Sequence, residues 1–414
     1  MDDKKLYAAI LGLTPPWGVE KVDLRLAQGE VHIWVALPPK EHWVCPECHQ
    51  RAPIKDHRER IWRHLDTCQY RTLVHARVPR LNCPTHGVKQ LPVPWAESGS
   101  RFTALFEALV IDWLRQAPIS AVAKQLGLTW DQVSGIQERA VRRGLARRKL
   151  EPVAHMGIDE TAFQRRHEYV TVVSDLDGSR VLFVADGRKR ESLDGFWSEL
   201  KPEHLDAIEA VAMDMWGPYI GSVMSAVPDA ASKIVFDKFH VAMHLNEAVD
   251  RVRRQEHRGL MELGIDRLKG TKHTWLRNPA SFSLGAWRSF LDTIRTSTLK
   301  TARAWRLKED FMAIYDYRYV GVAQRHYEAW KSWAMRSRLE PIKRVARMIV
   351  SHWDNIKTYF THRLTNAGSE SMNSKIQRVK AMARGYRNRQ RFRDAIYFHC
   401  GGLDLYPSCL RNTQ

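Results

Sequence analysis

The sequence has none of the features of membrane-spanning, secreted or disulfide-stabilised proteins. No apolar run approaches the roughly 18 residues that a membrane-spanning helix requires. The first residues, MDDKKLYAAI, contain no long apolar stretch followed by a small-residue cleavage site, so no secretory signal is expected. Six cysteines in 414 residues are too few for a disulfide scaffold. We therefore expect a cytoplasmic protein with no membrane partner, whose closely spaced cysteines bind metal.

Acidic residues are too few to balance the basic ones. The chain has 65 Lys and Arg against 46 Asp and Glu, a formal net charge of +19 at pH 7. Such an excess favours a polyanionic partner, because basic side chains that neutralise phosphates release bound counterions. Nucleic acid is therefore the expected partner. With 44% hydrophobic residues and no fixed-period repeat, the chain is expected to fold into several globular domains.

Two pairs of candidate metal ligands lie in the N-terminal part of the chain. A two-residue spacing separates the members of each pair, Cys45 from Cys48 and Cys83 from His86. Pairs on such knuckle-like turns are typical of tetrahedral structural zinc sites. Alternating apolar residues precede each pair, so residues 1–95 are predicted to form a small β-rich domain that binds structural Zn²⁺. The fourth ligand is the least certain, because other candidates lie nearby: His49, His57, His64 and Cys68.

Helical apolar spacing replaces the strand pattern between Phe102 and Lys149, where it fits three short helices. The segment ISAVAKQLGLTWDQV has a helix, a turn at Gly127 and a second helix capped by Thr129, as in a helix-turn-helix. We predict a DNA-binding domain over residues 96–150, with a plain three-helix bundle as the alternative. The expected DNA contacts are Thr129, Trp130, Gln132, Arg139, Arg142 and Arg143.

Strand-like segments return after Pro152 and give the order β-β-β-α-β-α-β up to Asp237. A hairpin is predicted at Asp177-Gly178, between two alternating runs. Residues 241–360 carry no strand signal and six of the 15 tryptophans, which we expect to lie mostly in a helical core. A last helix is predicted over residues 369–383. The C-terminal half is thus an α/β region with an all-helical insertion.

Three acidic residues form the clearest candidate active site. Asp159 ends the strand HMGID, Asp214 ends the strand AVAMDM, and Glu370 begins the C-terminal helix. If the two strands are neighbours, both aspartates lie at the same end of the sheet. Carboxylate oxygens suit Mg²⁺ or Mn²⁺, and two such ions can activate the attacking oxygen and stabilise the leaving oxygen of a phosphoryl transfer. We predict that these three acids hold two divalent ions.

Further side chains are expected to support this site. Asn373 shares a helix face with Glu370, and Asp237 and His240 follow the last strand, so all three are candidates for holding metal ligands or contacting DNA. Capping or structural roles are the alternatives. Tyr386 or Phe392 could stack on a displaced base. The basic residues expected to follow a DNA backbone near the active centre are Lys375, Arg378, Lys380, Arg384, Arg387, Arg389, Arg391 and Arg393.

The strand order, the two aspartates and the distant helical glutamate resemble the RNase H-like core of DDE transposases. More narrowly, the chain resembles the ISL-three family of bacterial insertion-sequence transposases. It departs from the usual pattern at Ser371, where Gly is common, and at His86, where Cys is frequent. The matching motifs are CPEC at 45–48, CPTH at 83–86, GIDE at 157–160, MDMWGPY at 213–219, FDKFHV at 236–241 and TNAGSESMNSKIQRVKAMARGYRN at 365–388.

The resemblance implies an RNase H-like core with a mixed sheet, in two segments separated by a helical insertion over 246–360. The first segment is 151–245, and the second, 361–414, supplies the C-terminal helix with Glu370 and a basic tail. It also implies that the three acids are the catalytic triad of Mg²⁺-dependent DNA cleavage and strand transfer. The zinc and helix-turn-helix module would recognise the terminal inverted repeats of the transposon.

The nature of the reaction implies partners as well. Two DNA ends must be brought together, so a homodimer on double-stranded DNA, associated with the nucleoid, is expected. Two alternatives remain open at this point. One is a non-catalytic, zinc-containing DNA-binding regulator, and the other is an RNase H-like nuclease or junction resolvase that cleaves without joining.

Overall fold

The computed structural model describes residues 2–39, 42–164, 168–296, 298–364 and 367–409. The chain forms two compact units. The first consists of Met1–Lys149 together with Val379–Gln414, and the second of Leu150–Arg378. The C-terminal segment therefore returns to the N-terminal unit, whereas the sequence analysis assigned all of 361–414 to the catalytic core. No helix in the described ranges is long and apolar enough to span a membrane.

A short helix and a six-stranded sheet begin the first unit. Their bounds are α1 (Asp3–Ile10), β1 (Gly18–Arg25), β2 (Glu30–Ala36), β3 (His42–Val44), β4 (Arg51–Arg63), β5 (Arg71–Cys83) and β6 (Gly87–Gln90). The strand order is β1-β2-β5-β4-β3, with β6 paired to β5, and only the β2–β5 pair is parallel. Strands β1 and β2 form a hairpin that turns through Leu26–Gln28 and Gly29, whose φ of +66° favours glycine.

Three helices follow the sheet, as predicted: α2 (Ala104–Gln116), α3 (Ile119–Leu126) and α4 (Trp130–Arg147). The turn between α3 and α4 depends on Gly127, which has a φ of +63°. Thr129 and Gln132 then form a capping box, in which each side chain accepts a hydrogen bond from the other residue's backbone N–H. These features build the helix-turn-helix.

The C-terminal helix packs on this motif. Helix α18 (Arg389–Cys400) contacts α4, and Phe398 and Leu405 belong to the same buried cluster as the apolar residues of α2 and α4. Arg143 of α4 also donates a hydrogen bond to the carbonyl of Leu405. Apolar burial and this buried bond explain why the segment belongs to the first unit.

The second unit contains a five-stranded sheet: β7 (His155–Gln164), β8 (Glu168–Asp175), β9 (Arg180–Asp186), β10 (Ala210–Met213) and β11 (Ile234–Phe236). The order is β11-β10-β7-β8-β9. Strands β7, β8 and β9 form an antiparallel meander, while β10 is parallel to both β7 and β11. The helices between the strands are α5 (Arg190–Trp197), α6 (Pro202–Asp206), α7 (Gly217–Ala226) and α8 (Ala230–Lys233). The predicted RNase H-like mixed sheet is confirmed.

The described residues between β11 and Met382 contain helices joined by short turns and no strand. The helices are α9 (Lys238–Glu262), α10 (Lys272–Leu276), α11 (Leu284–Thr296), α12 (Lys300–Met312), α13 (Val320–Arg336), α14 (Glu340–Ser351), α15 (Trp353–Lys357), α16 (Tyr359–His362) and α17 (Ala367–Met382). Short 3-10 segments cover Pro279–Ser281 and Ala313–Asp316. Four of the six tryptophans of this segment are buried, as expected of a helical core: Trp275, Trp305, Trp330 and Trp353.

A buried histidine lies between the sheet and the helices of the first unit. His64 is 1% exposed, and its Nδ1 lies 2.9 Å from the hydroxyl of Thr103, the N-cap of α2. Burial lowers the pKa of His64 from 6.5 to about 4. The imidazole is therefore neutral in the folded unit, and its hydrogen bond with Thr103 stabilises the start of α2.

Acid should weaken this unit through His64. The unfolded chain takes up the proton first, so the stabilising contribution is complete above a pH of about 6.5 and is lost as the pH falls towards 4. The shift corresponds to about 3 kcal/mol at most. His64→Gln should remove this part of the pH dependence in urea unfolding curves recorded between pH 4 and 7. His57 is exposed, so His57→Gln is the control and should keep the pH dependence of the wild type. If the free energy of unfolding fell with pH by the same amount in the wild type and in His64→Gln, the assignment would be contradicted.

Candidate functional site

Asp159 and Asp214 lie at neighbouring positions of adjacent parallel strands. Met213 of β10 and Ile158 of β7 form the last pair of this ladder, and an aspartate follows each of them. Asp214 lies directly after β10, as predicted, but the prediction that Asp159 ends its strand is wrong, because β7 continues to Gln164 as the partner of β8. Each carboxylate accepts a hydrogen bond from the backbone N–H of the following residue. Burial raises the pKa of Asp159, and the negative charge of Asp214 raises it further. This end of the sheet therefore holds two carboxylates whose charges interact, a pair that a cation would stabilise.

Helix α17 is held against this strand end by an asparagine. Asn373 Nδ2 donates a 2.6 Å hydrogen bond to Asp159 Oδ2, and its Oδ1 accepts a 3.1 Å hydrogen bond from Thr161 of the same strand. A Cβ atom built on Gly157 would lie 2.6 Å from Ser369 Oγ, so glycine is required for this close approach. The interaction of Thr161 fixes the orientation of the amide.

Glu370 lies on the first turn of α17, between Ser369 and Asn373, and is exposed. The structure thus brings the helix that carries Glu370 to β7. The three carboxylates do not, however, form a compact ligand set. Among the described residues, one group of three or more His, Cys, Asp or Glu side chains has all its ligand atoms within 4.8 Å of one another. Asp159, Asp214 and Glu370 do not belong to that group.

A histidine connects the carboxylate of Asp214 to a further aspartate. His240 Nδ1 lies 3.4 Å from Asp214 Oδ1, and its Nε2 lies 3.8 Å from Asp237 Oδ2. Asp237 is 6% exposed and caps α9 by accepting a hydrogen bond from the N–H of Phe239. Both residues singled out in the sequence therefore lie beside the acidic centre.

Arg188 is a residue of this centre that the sequence analysis missed. Its guanidinium lies 3.5 Å from the carboxylate of Glu160 and 4.8 Å from the ring centroids of Tyr169 and Trp216. Trp216 in turn donates a hydrogen bond to the carbonyl of Arg188. Burial raises the pKa of Glu160, while Arg188 opposes that rise. The basic GRKR tract directly after β9 was the available signal.

The four predicted metal ligands of the first unit come together. The ligand atoms of Cys45, Cys48, Cys83 and His86 all lie within 4.8 Å of one another. Three of the separations are 3.9 Å for Cys45 to His86, 3.6 Å for Cys48 to Cys83 and 3.7 Å for Cys83 to His86. These are edge lengths of a tetrahedron whose ligands lie about 2.0–2.3 Å from its centre, as zinc requires.

Local interactions prepare this cluster for a cation. The backbone N–H of His86 is the main cause that lowers the pKa of Cys83 to about 6, which favours the thiolate. His86 directs Nδ1 at the sulfurs, and its Nε2 lies 3.7 Å from Glu47, which Lys89 also contacts. A carboxylate behind a ligating imidazole orients the ring. Cys68 is exposed and His64 bonds to Thr103, and neither belongs to the cluster.

Several expected DNA contacts of the helix-turn-helix have other roles. Arg143 is buried and binds Glu97, Glu107 and the carbonyl of Leu405, and Arg139 binds Glu107. These two arginines hold the unit together, because their guanidinium groups are neutralised within it. Thr129 and Gln132 cap α4, and the ring of Trp130 lies 4.4 Å from Arg391. Arg142 is exposed.

The basic residues after Glu370 are mostly at the surface. Phe392 is fully buried with Tyr386 packed against it, so Phe392 is not available to stack on a base. Lys380 and Arg393 are half-buried, and Arg391 pairs with Asp131 at 3.6 Å. The remaining predicted contacts are exposed: Lys375, Arg378, Arg384, Arg387 and Arg389.

The fold and these two centres define a class of protein. A cluster of three cysteines and one histidine and a helix-turn-helix precede an RNase H-like sheet, in which two aspartates follow the last pair of the parallel β7–β10 ladder. This is the arrangement of a DDE transposase. Family models match three stretches of the chain. They are a zinc-finger of transposases IS204, IS1001, IS1096 and IS1165 over residues 41–86, a helix-turn-helix domain of transposase family ISL3 over 91–141, and an ISL3 DDE transposase domain over 156–396.

Whole-length relatives agree with the family models. The chain is 27% identical over 398 residues to the transposase for insertion sequence element IS1001 of Bordetella parapertussis, covering 95% of this chain and 97% of that protein. It is also 27% identical to the transposase for insertion sequence element IS1557 of Mycobacterium tuberculosis, covering 94% of each. The chain therefore belongs to the ISL3, or ISL-three, family of transposases, which are enzymes that cleave and transfer DNA strands.

Removing a cluster cysteine should remove bound metal. Cys83→Ser should lose the metal found by elemental analysis of the purified full chain and should unfold the first unit at lower temperature. The exposed Cys68→Ser, which lies outside the cluster, should keep both properties. Equal metal content in wild type and Cys83→Ser would contradict the site. Chelation should damage DNA binding more than the fold of the second unit, Leu150–Arg378.

Breaking the Asn373–Asp159 hydrogen bond should impair metal use at the acidic centre. Asn373→Ala should raise the Mg²⁺ concentration for half-maximal DNA nicking by about 10–100-fold, the usual effect of losing a residue that orients a metal ligand. Ser374→Ala, on the exposed side of the same helix, should leave the titration unchanged. An unchanged titration in Asn373→Ala would show that the amide does not position Asp159.

Proposed function

We propose that this transposase recognises the terminal inverted repeats of an insertion sequence, cleaves DNA at those ends and joins the freed 3′-hydroxyl to target DNA. The observation that carries the proposal is the position of Asp159 and Asp214 directly after the last β7–β10 pair, together with the hydrogen bond from Asn373 of α17 to Asp159. Phosphoryl transfer by such carboxylates needs no protein nucleophile, because water or a DNA hydroxyl attacks the phosphorus.

The donor set of the acidic centre fits divalent ions. Asp159 is a carboxylate whose charged form burial disfavours, and hard oxygen ligands suit Mg²⁺ or Mn²⁺. Asp159, Asp214 and Glu370 would hold two such ions. When bound, the ions activate the attacking oxygen and stabilise the leaving oxygen. The exposed position of Glu370 on the first turn of α17 leaves its carboxylate accessible to an ion or to DNA.

The chain's own residues orient these ligands. Asn373 fixes one oxygen of Asp159 and is itself fixed by Thr161. His240 lies between Asp214 and Asp237, where it can hold a proton close to the carboxylates or donate to a DNA phosphate. Arg188 supplies a positive charge beside Glu160, the residue that follows Asp159 in β7. These residues would position the scissile phosphate.

The first unit would recognise the DNA ends. The cluster of three cysteines and one histidine fits a structural Zn²⁺, because all four ligand positions come from the protein. The proposed contacts include Trp130 and Gln132 at the start of α4, Arg142 on its exposed side, and the exposed cations that follow Glu370. Arg139 and Arg143 are not among them, because they form ion pairs within the unit.

Assembly and location follow from the reaction. Because two ends must be cut together, the proposed active form is a homodimer on DNA, associated with the nucleoid. The proposed division of labour along the chain is a zinc-binding domain (1–95), a helix-turn-helix domain (96–150), a catalytic core (151–245 and the segment that carries Glu370) and a helical insertion (246–360).

The proposal is tested by separating cleavage from binding. Asp214→Ala should abolish Mg²⁺-dependent nicking of duplexes that carry the element's end repeats, whereas their dissociation constant should change less than threefold. The matched control is Asp206→Ala, an exposed aspartate at the end of α6. Binding without nicking in the wild type would favour a regulator. Nicking without joining of a precut 3′-hydroxyl end would favour a nuclease.

A further inference from the structure

A groove of about 1040 Å³ lies entirely within the first unit. One wall is the helix-turn-helix, from the end of α2 through α3 to Trp130 at the start of α4. The other wall is the chain between α17 and α18, from Met382 to Arg391. The two walls are distant in sequence and meet only because α18 packs on α4.

The groove is lined by positive charge. Lys124 projects from the helix-turn-helix wall, and Arg384, Arg387 and Arg391 project from the opposite wall. All four side chains are exposed, and no Asp or Glu is among the residues that line the groove. Asp131, which pairs with Arg391 at 3.6 Å, lies outside the lining. Four cations that face a common space without lining anions repel one another unless a polyanion lies between them.

The arginine wall is a defined turn. Arg384 and Gly385 have φ values of +55° and +92°, and the Gly385 N–H donates a hydrogen bond to the carbonyl of Lys380. The side chain of Asn388 then caps α18. Arg391 lies over the ring of Trp130 with 4.4 Å between guanidinium and centroid, which ties the two walls together. The cations are therefore held on a fixed backbone next to the recognition helix.

We infer that this groove binds the sugar-phosphate backbone of double-stranded DNA, so that the C-terminal turn and the helix-turn-helix form one composite DNA-binding surface. The inference rests on the proposed function and deepens it. It assigns Arg384 and Arg387 to the end-binding unit, whereas the sequence analysis expected them to follow DNA near the active centre. Lys and Arg side chains in a groove bind DNA phosphates and do not read the bases. The contribution of the groove to the binding free energy is therefore independent of the DNA sequence.

The first test is the salt dependence of DNA binding by the full chain. The probes are a 40-base-pair duplex from the end of the encoding element and a random duplex of equal length. Arg384→Gln/Arg387→Gln should reduce the slope of log K against log salt by about 2 on both duplexes, since each lost phosphate contact contributes about 0.9. Arg336→Gln/Arg344→Gln, exposed arginines of the second unit, remove the same charge and should leave the slope unchanged.

The second test asks whether both walls hold the same stretch of backbone. Single phosphates of the end duplex are replaced by neutral methylphosphonates, and binding is measured with wild type, Lys124→Gln and Arg387→Gln. For each variant, the phosphate that its lost cation contacted is the one whose neutralisation no longer weakens binding. The phosphates identified in this way with Lys124→Gln and with Arg387→Gln should lie within about two nucleotides of each other. Distant positions, or a slope that changes equally in the control, would overturn the composite groove. A wild type that does not prefer the end duplex would contradict end recognition, while the slope on the random duplex would still decide the groove.

Discussion

The parallel pairing of β7 with β10 is the constraint on which the active centre depends. It places Asp159 and Asp214 next to each other where the β7–β10 ladder ends, and burial makes the negative charge of Asp159 costly. Helix α17 reaches this end through the hydrogen bond of Asn373 and through the absence of a side chain at Gly157. A residue more than 200 positions away in sequence is thereby brought to the aspartate.

The first unit depends on a different set of interactions. Glu107 is almost fully buried and would be unstable there without Arg139 and Arg143. Arg143 also donates a hydrogen bond to the carbonyl of Leu405. The side chain that neutralises Glu107 of α2 therefore also holds the C-terminal segment against the helices. The cluster of three cysteines and one histidine, the helix-turn-helix and the C-terminal turn are thus parts of one folded unit, which a transposase of this family can present to DNA as a whole.

The sequence was sufficient for features that depend on local pattern. Strand alternation, the Gly127 turn and the two-residue spacing of Cys45 and Cys48 predicted the two sheets, the helix-turn-helix and the metal cluster. Contacts between residues far apart in the chain could not be predicted from these local patterns. Arg143 looked like a phosphate contact because its partner Leu405 is 262 residues away. Phe392 looked available to stack on a base because only the packing of α18 on α4 shows that it is buried.

The most direct test of the central claim is to locate bound metal. Crystals of the full chain with its end DNA, grown in Mn²⁺, would give anomalous scattering peaks at each ion. The account predicts peaks within about 2.2 Å of carboxylate oxygens of Asp159, Asp214 and Glu370. The account would be contradicted if the two aspartates bound ions while Glu370 stayed out of reach of every ion. It would also be contradicted if no anomalous peak appeared beside these aspartates.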